Sequence, residues 1–226
     1  SHPAGGIVVR TNFGYFLAVK NTFLYGTISG DDAGSKDRVR KERNLHFRSP
    51  LFEFSTQVEF NFFPYQNKKE YYLVSPYLFS GISVFHFNPQ AKFGSDWYDL
   101  HPLSTEGQGT IAYPDKKKYS LTQLSIPIGM GLKYDLNQNI TIAIEWGMRK
   151  TFTDYIDDVS GVYPDPDAIL AEKSPVAGSL SNRDPGNTGA VNTKRQRGNS
   201  IARDWYAYAG LIITANKKER DACPKF

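Results

Sequence analysis

The chain has one cysteine, Cys223, among 226 residues. An internal disulfide is therefore impossible, and one Cys with 4 scattered His offers no zinc-ligand spacing. Methionine is scarce at 2 and Trp at 3. No stretch is rich in Ala, Leu, Glu and Lys, which weighs against a helical bundle. No apolar run reaches the roughly 18 residues that a membrane-crossing helix needs. Excess charge of one sign is absent too. Lys and Arg number 27 against 23 Asp and Glu, and the two signs are mixed along the chain. A nucleic-acid binder would carry a sharper basic stripe.

What is abundant points to β-structure. There are 15 Phe, 14 Tyr, 19 Gly and 13 Pro, a profile of aromatic strands punctuated by turns. Hydrophobic residues make up 40% and charged residues 22%, so a packed structure is expected rather than wholesale disorder. The length suits one domain.

Period-2 alternation is the primary signal. From Leu51 to Phe63, the residues Phe52, Phe54, Val58, Phe60 and Phe62 share one face, and Glu53, Ser55, Gln57, Glu59 and Asn61 the other. From Tyr119 to Tyr134, the residues Leu124, Ile126, Ile128, Met130, Leu132 and Tyr134 alternate with polar or small residues, Lys133 among them. Ile140, Ile142, Ile144, Trp146 and Met148 alternate with Thr141, Ala143, Glu145 and Gly147. Trp205, Ala207, Ala209, Leu211 and Ile213 oppose Tyr206, Tyr208 and Gly210. Less regular strands are expected near 6–12, 16–29 and 72–87, and the apolar face of the last is ambiguous. The count is about seven.

Short and long connections alternate strictly. Asn12 to Tyr15, Pro64 to Tyr71 and Asn137 to Asn139 are short, whereas 30–49, 88–118 and 154–200 are long. An up-and-down barrel of the bacterial outer membrane has this asymmetry, with short periplasmic turns and long external loops. The first and last of seven antiparallel strands run the same way and cannot close such a barrel. Bacterial barrels have even strand numbers. The expected fold is therefore all-β, an up-and-down eight-stranded transmembrane barrel over 1–215. Its first strand is expected to precede Ser1 or to be supplied by something else. Residues 216–226 form a periplasmic tail.

In that reading the apolar faces meet lipid and the polar faces fill a narrow interior. Glu53, Glu59, Lys133, Glu145 and Arg149 become interior charges of mixed sign that need partners, since an unpaired buried charge is costly. A soluble barrel with its apolar face inward is the rival, and the mean hydropathy of −0.47 is compatible with both. Two aromatic bands fit membrane girdles. Phe13, Tyr15, Phe62, Phe63, Tyr65, Tyr71, Tyr72 and Tyr134 are assigned to the short-turn end. Phe85, Phe87, Tyr119, Phe152, Tyr155 and Trp205 are assigned to the other.

Several constellations carry potential chemistry. His86, His101, Ser83, Ser104 and Glu106 are raw material for a lipid esterase or acyltransferase, but no nucleophile signature surrounds them. The alternative function is accordingly a small-barrel, lipid-modifying outer-membrane enzyme. Asp154, Asp157, Asp158, Asp165 and Asp167 offer oxygens to calcium without EF-hand spacing. Arg183, Lys194, Arg195, Arg197 and Arg203 read as a solvated external loop. Neither a catalytic residue, nor a cofactor, nor a metal is assigned. The tail, Asn216 to Phe226, has four basic and two acidic residues. In an oxidising periplasm its leftover Cys223 suggests pairing with another chain or a free thiol.

Ordered motifs across 5–185 carry a family resemblance. They include Phe60-Asn61-Phe62-Phe63, Ser75-Pro76-Tyr77-Leu78-Phe79-Ser80-Gly81-Ile82 and Phe85-His86-Phe87-Asn88-Pro89-Gln90-Ala91-Lys92. Trp97-Tyr98-Asp99-Leu100, Leu103-Ser104-Thr105-Glu106-Gly107-Gln108-Gly109 and Tyr119-Ser120-Leu121-Thr122-Gln123 follow. The longest runs from Gly147 through Met148-Arg149-Lys150-Thr151-Phe152-Thr153-Asp154-Tyr155-Ile156-Asp157-Asp158-Val159 to Ser160. Together they resemble the PorG family of Bacteroidota, an outer-membrane barrel of the type IX protein secretion system. The resemblance implies a non-enzymatic role. The barrel would tie a periplasmic ring of the lipoprotein PorK and the protein PorN to the outer membrane. The interface residues expected on this basis are Gln66, Asn67, Lys68 and Lys69 in a periplasmic turn, and Lys217, Lys218, Arg220 and Cys223 in the tail. A disulfide to the partner through Cys223 is part of the expectation.

Overall fold

The computed structural model describes residues 2–63, 73–137, 139–184, 195–200 and 202–216. Its framework is all-β and antiparallel. Seven long strands form the main path. They are β1 (Ala4–Phe13), β2 (Leu17–Asp31), β3 (His46–Asn61), β4 (Val74–Phe87), β7 (Thr122–Asn137), β8 (Ile140–Thr151) and β9 (Trp205–Ala215). Each pairs with the next. A hairpin of β5 (Gln90–Phe93) and β6 (Asp96–Asp99) leaves this path and touches β3 through Arg48 and Gln90.

The alternations seen in the sequence set the strands. In β3 Leu51, Glu53, Ser55, Gln57, Glu59 and Asn61 are buried, while the intervening residues are exposed. A tight turn joins β1 to β2 through Gly14, whose φ of +74 few other residues adopt. Among the described residues β1 pairs only with β2 and β9 only with β8. These two edge strands run in the same direction, as they must at the ends of seven antiparallel strands. The sheet curls into a half-barrel, so that Arg10 of β1 reaches Glu59 of β3 and Thr214 of β9 from the concave side.

The structure corrects the aromatic bands. Phe85 and Phe87 point inward and are buried, at 1% and 0% exposure. They pack with Leu51, Ile156 and Tyr206, and Tyr119 joins them. Phe87, Tyr119 and Tyr155 form a continuous stack, with ring centroids 6.1 and 4.6 Å apart. These rings plug the long-loop end rather than girdle it. Phe152 and Trp205 are exposed. The ambiguous face of β4 explains the error, since both of its faces carry large apolar residues. Register decides between them. Ser83 pairs inward with Ser125, and Tyr77 and Phe79 lie against Gly131 and Gly129, where an added Cβ would stand 2.5 and 2.3 Å from their rings.

The long connections also hold more order than expected. Beyond the β5–β6 hairpin they contain four short helices, α1 (Arg38–Arg43), α2 (Leu100–Leu103), α3 (Pro166–Glu172) and α4 (Pro175–Ser181), and a 3-10 turn at Asp32–Gly34. Ala91, Leu100 and Leu180 make a small apolar core there. No helix among the described residues is long and apolar enough to cross a membrane.

Candidate functional site

Three surfaces could carry function: the concave core, the convex wall and the folded cap over the long-loop end. The core is a connected set of charges. Glu59 gathers three cations. Arg10 meets it at 2.9 Å, Lys133 at 2.7 Å and Lys20 at 3.5 Å. Lys20 also binds Glu145 at 2.5 Å. Glu145 further accepts from Tyr77 at 2.6 Å and from the Tyr208 hydroxyl. Nearer the cap, Arg149 grips Glu53 with its Nε and Nη2, and Tyr206 donates to the same carboxylate at 2.6 Å. Lys20 lies 4.1 Å from the Phe79 ring centroid, and Arg149 lies 4.3 Å from that of Tyr208. Every one of Glu53, Glu59, Lys133, Glu145 and Arg149 is buried and ion-paired on the concave face.

Sequence reasoning missed Arg10 and Lys20. Their strands alternate poorly, because Lys20 sits between inward Ala18 and Thr22 while Asn21 faces outward. The signal was the period itself. Arg10, Lys20 and Gln57 share one register row, so an inward Gln57 places both cations inside.

The convex wall reverses the polarity expected in water. Each of the seven long strands presents large apolar side chains outward. Ile7, Ile82 and Ile213 are 69%, 67% and 69% exposed, and they lie on β1, β4 and β9. Phe23, Phe52, Val58, Met130, Ile144 and Leu211 are also exposed. Outward polar groups pair with each other, as Thr56 does with Asn21 at 2.8 Å.

The cap is a third construction. Glu106 accepts from the Ser160 and Gly161 amides and from Arg197 at 3.0 Å. Asp158 accepts from Tyr119 at 2.6 Å and from Thr105. Burial, reinforced by the neighbouring Asp204 carboxylate, pushes Asp157 up to about 8 against the pull of the Val159 amide. Burial likewise raises Asp158 and Asp154 to about 6 each.

The enzyme constellation is not assembled. His86 lies on the outer face beside Thr122, while Ser83 points inward. His101 contacts the Tyr119 carbonyl at 2.9 Å. Among the described residues no hydrogen bond joins His101 to Ser104 or Glu106, and Glu106 is saturated by other donors. The five aspartates are dispersed as well. Asp165 caps α3, Asp157 takes the Val159 amide and Asp158 serves hydroxyls. Among the described residues no group of three His, Cys, Asp or Glu is placed to hold a metal ion. Arg197 is buried and ion-paired to Glu106, whereas Arg195 pairs with Asp184 while staying solvated, and Arg203 is exposed. Lys194 lies outside the described residues, and so do the expected interface residues Gln66, Asn67, Lys68, Lys69, Lys217, Lys218, Arg220 and Cys223.

Residues 1–184 match the family model of a domain of unknown function, DUF6089. No curated protein and no solved structure matches the chain.

Proposed function

We propose that this chain, which belongs to the DUF6089 family, is an outer-membrane β-barrel that anchors a periplasmic ring of the type IX secretion system, of the PorK and PorN kind. The observation that carries the membrane reading is the inverted polarity of the sheet. In water, leaving a large apolar side chain exposed forgoes roughly 1.5–3 kcal/mol each, and this wall exposes them on all seven long strands. Lipid removes that cost. From Phe52 to Phe60 the outward residues of β3 span roughly 26 Å of strand, or about 20 Å of height at the tilt of a membrane barrel, and exposed Phe62 just beyond the strand extends this to about 25 Å. That matches a bilayer's apolar band.

Closure at eight strands needs one more, running opposite to both β1 and β9. The charged core then fills the lumen, which leaves no aqueous channel at this size. A plugged, rigid barrel suits an anchor: it holds depth and orientation while the short-turn end faces the periplasm. Gln66, Asn67, Lys68, Lys69 and the tail through Cys223 supply the contact in this reading. The resemblance to the PorG family supports the choice of partner.

The test is affinity purification from outer membranes of the native organism, run on gels with and without reductant. A lipoprotein should co-purify, and a linked band should vanish on reduction or in Cys223→Ser. Co-purification without any linked band would remove the disulfide and keep the anchor. Absence of any ring protein would overturn the anchor reading.

A further inference from the structure

A group of cations gathers around two rings at the long-loop rim. Arg48 lies on the outward face of β3, four residues beyond the exposed Phe52. Its guanidinium sits 3.9 Å from the Trp97 ring centroid, and its Nε donates to Gln90 at 2.9 Å. The His46 ring meets Trp97 edge-on at 5.9 Å. The Lys92 amide donates to His46 Nε2 at 3.0 Å, and Arg183 Nη1 stands 3.0 Å from His46 Nδ1. Trp97 and Lys92 are exposed.

Among the described residues Arg48, Lys92 and Arg183 make no ion pair. Arg43, Arg149, Arg195 and Arg197 each have a carboxylate. Asp31, which lies opposite His46 in the β2–β3 ladder, is the acidic group that acts on Arg183, and it already accepts from the Ala33 amide. The imidazole supplies no negative charge to balance them. Arg183 Nη1 lies 3.0 and 3.2 Å from the two ring nitrogens, and Nε2 already accepts from the Lys92 amide, so the guanidinium meets no carboxylate there.

We propose that Arg48, Lys92 and Arg183, gathered around His46 and Trp97, form a binding site for a phosphomonoester. Such a group offers several acceptor oxygens and about −1.5 to −2 charge. It would take the Arg183 and Arg48 donors in charge-assisted hydrogen bonds. The aromatic face of Trp97 suits an attached sugar ring. The shared chemistry comes from two sources: a phosphorylated glycolipid headgroup of the outer leaflet, or a soluble sugar phosphate. The lipid source rests on the membrane reading above. The site itself does not.

The test uses the full chain in phosphatidylcholine nanodiscs containing lipid A with both phosphates, or dephosphorylated lipid A, with retained lipid counted by native mass spectrometry. Phosphorylated lipid A should be retained, and Arg48→Gln with Arg183→Gln should lower its retention about tenfold. Arg38→Gln with Arg40→Gln, basic but already ion-paired, should leave it unchanged. Heat-modifiable gel migration checks folding, and Lys92→Gln, an exposed change, serves if the double variant fails to fold. Glucosamine 1-phosphate on the chain in detergent micelles separates the sources. If it binds in an Arg48- and Arg183-dependent way while lipid A is ignored, the site stands with a soluble ligand. Equal retention with and without phosphates, or in parent and double variant, overturns the site. Insertion into vesicles, measured by flotation, tests the membrane reading separately.

Discussion

Buried carboxylates occur in two places in this molecule and are held in two ways. In the concave core three glutamates meet cations: Glu59 has Arg10, Lys20 and Lys133, Glu145 has Lys20, and Glu53 has Arg149. In the cap, Asp157 and Asp158 are held by amides and hydroxyls, with Arg197 donating to the Asp158 carbonyl rather than to its carboxylate. The difference follows from the backbone. Strands consume their own amides in the ladder, so a side chain inside the sheet finds only other side chains. Loops leave amides and hydroxyls free, so a carboxylate there finds neutral donors, close in sequence as Val159 is to Asp157 or distant as Thr105 and Tyr119 are from Asp158. The core is thus electrostatically matched, while parts of the cap are held with raised proton affinity.

The sharpest way to break this contrast is to remove Glu59. Glu59→Leu leaves Arg10 and Lys133 without their carboxylate, and breaking a buried pair this way costs roughly 3–5 kcal/mol. Urea unfolding in detergent should show that loss, and Lys133→Met in the same chain should recover part of it. A loss below about 1 kcal/mol would mean that the core charges are hydrated rather than matched.

Glu106→Gln should act locally. Losing the charge-assisted bonds from Arg197 and two amides costs roughly 2 kcal/mol. Hydrogen exchange at Ser160 and Gly161 should rise about 30-fold, with the β3–β4 ladder unaffected. Accelerated exchange in both regions would show that cap and sheet unfold as one unit.

A third effect is a pH dependence confined to the cap. Asp157 is raised from its ordinary value near 4 to about 8. Within that window the folded cap binds a proton that the unfolded chain does not, so stability falls as pH rises and the proton's contribution is gone above about 8. Exchange protection around Asp158 and Val159, corrected for intrinsic rate, should therefore fall from about pH 5 to 8. Asp157→Asn should flatten its upper part, leaving the fall near pH 6 that Asp154 and Asp158 contribute. A flat profile in the parent chain would show that Asp157 is ionised throughout.

Legibility followed the same division. Glu53, Glu59, Lys133, Glu145 and Arg149 stand out because each interrupts a clean period-2 pattern on the polar face. Arg10 and Lys20 were hidden by weak alternation in their strands, and only the β1–β2–β3 register places them with Gln57. His101 and Glu106 lie five residues apart in the sequence, yet the fold gives Glu106 to Ser160, Gly161 and Arg197. Those donors lie more than 50 positions away, beyond any local pattern.

By itself the sequence determined the strands, their two-faced polarity and the alternation of short and long connections. These are local properties, because side chains alternate faces every residue and turns need Gly, Asn or Pro. The tertiary structure decided which way β4 faces, since both of its faces are apolar and only the glycines opposite Tyr77 and Phe79 leave room for rings inside. It also decided which charges meet. A curled sheet brings β1 to β9 and β3 to β8 across the concave side, and those pairings depend on curvature and register that no single strand encodes.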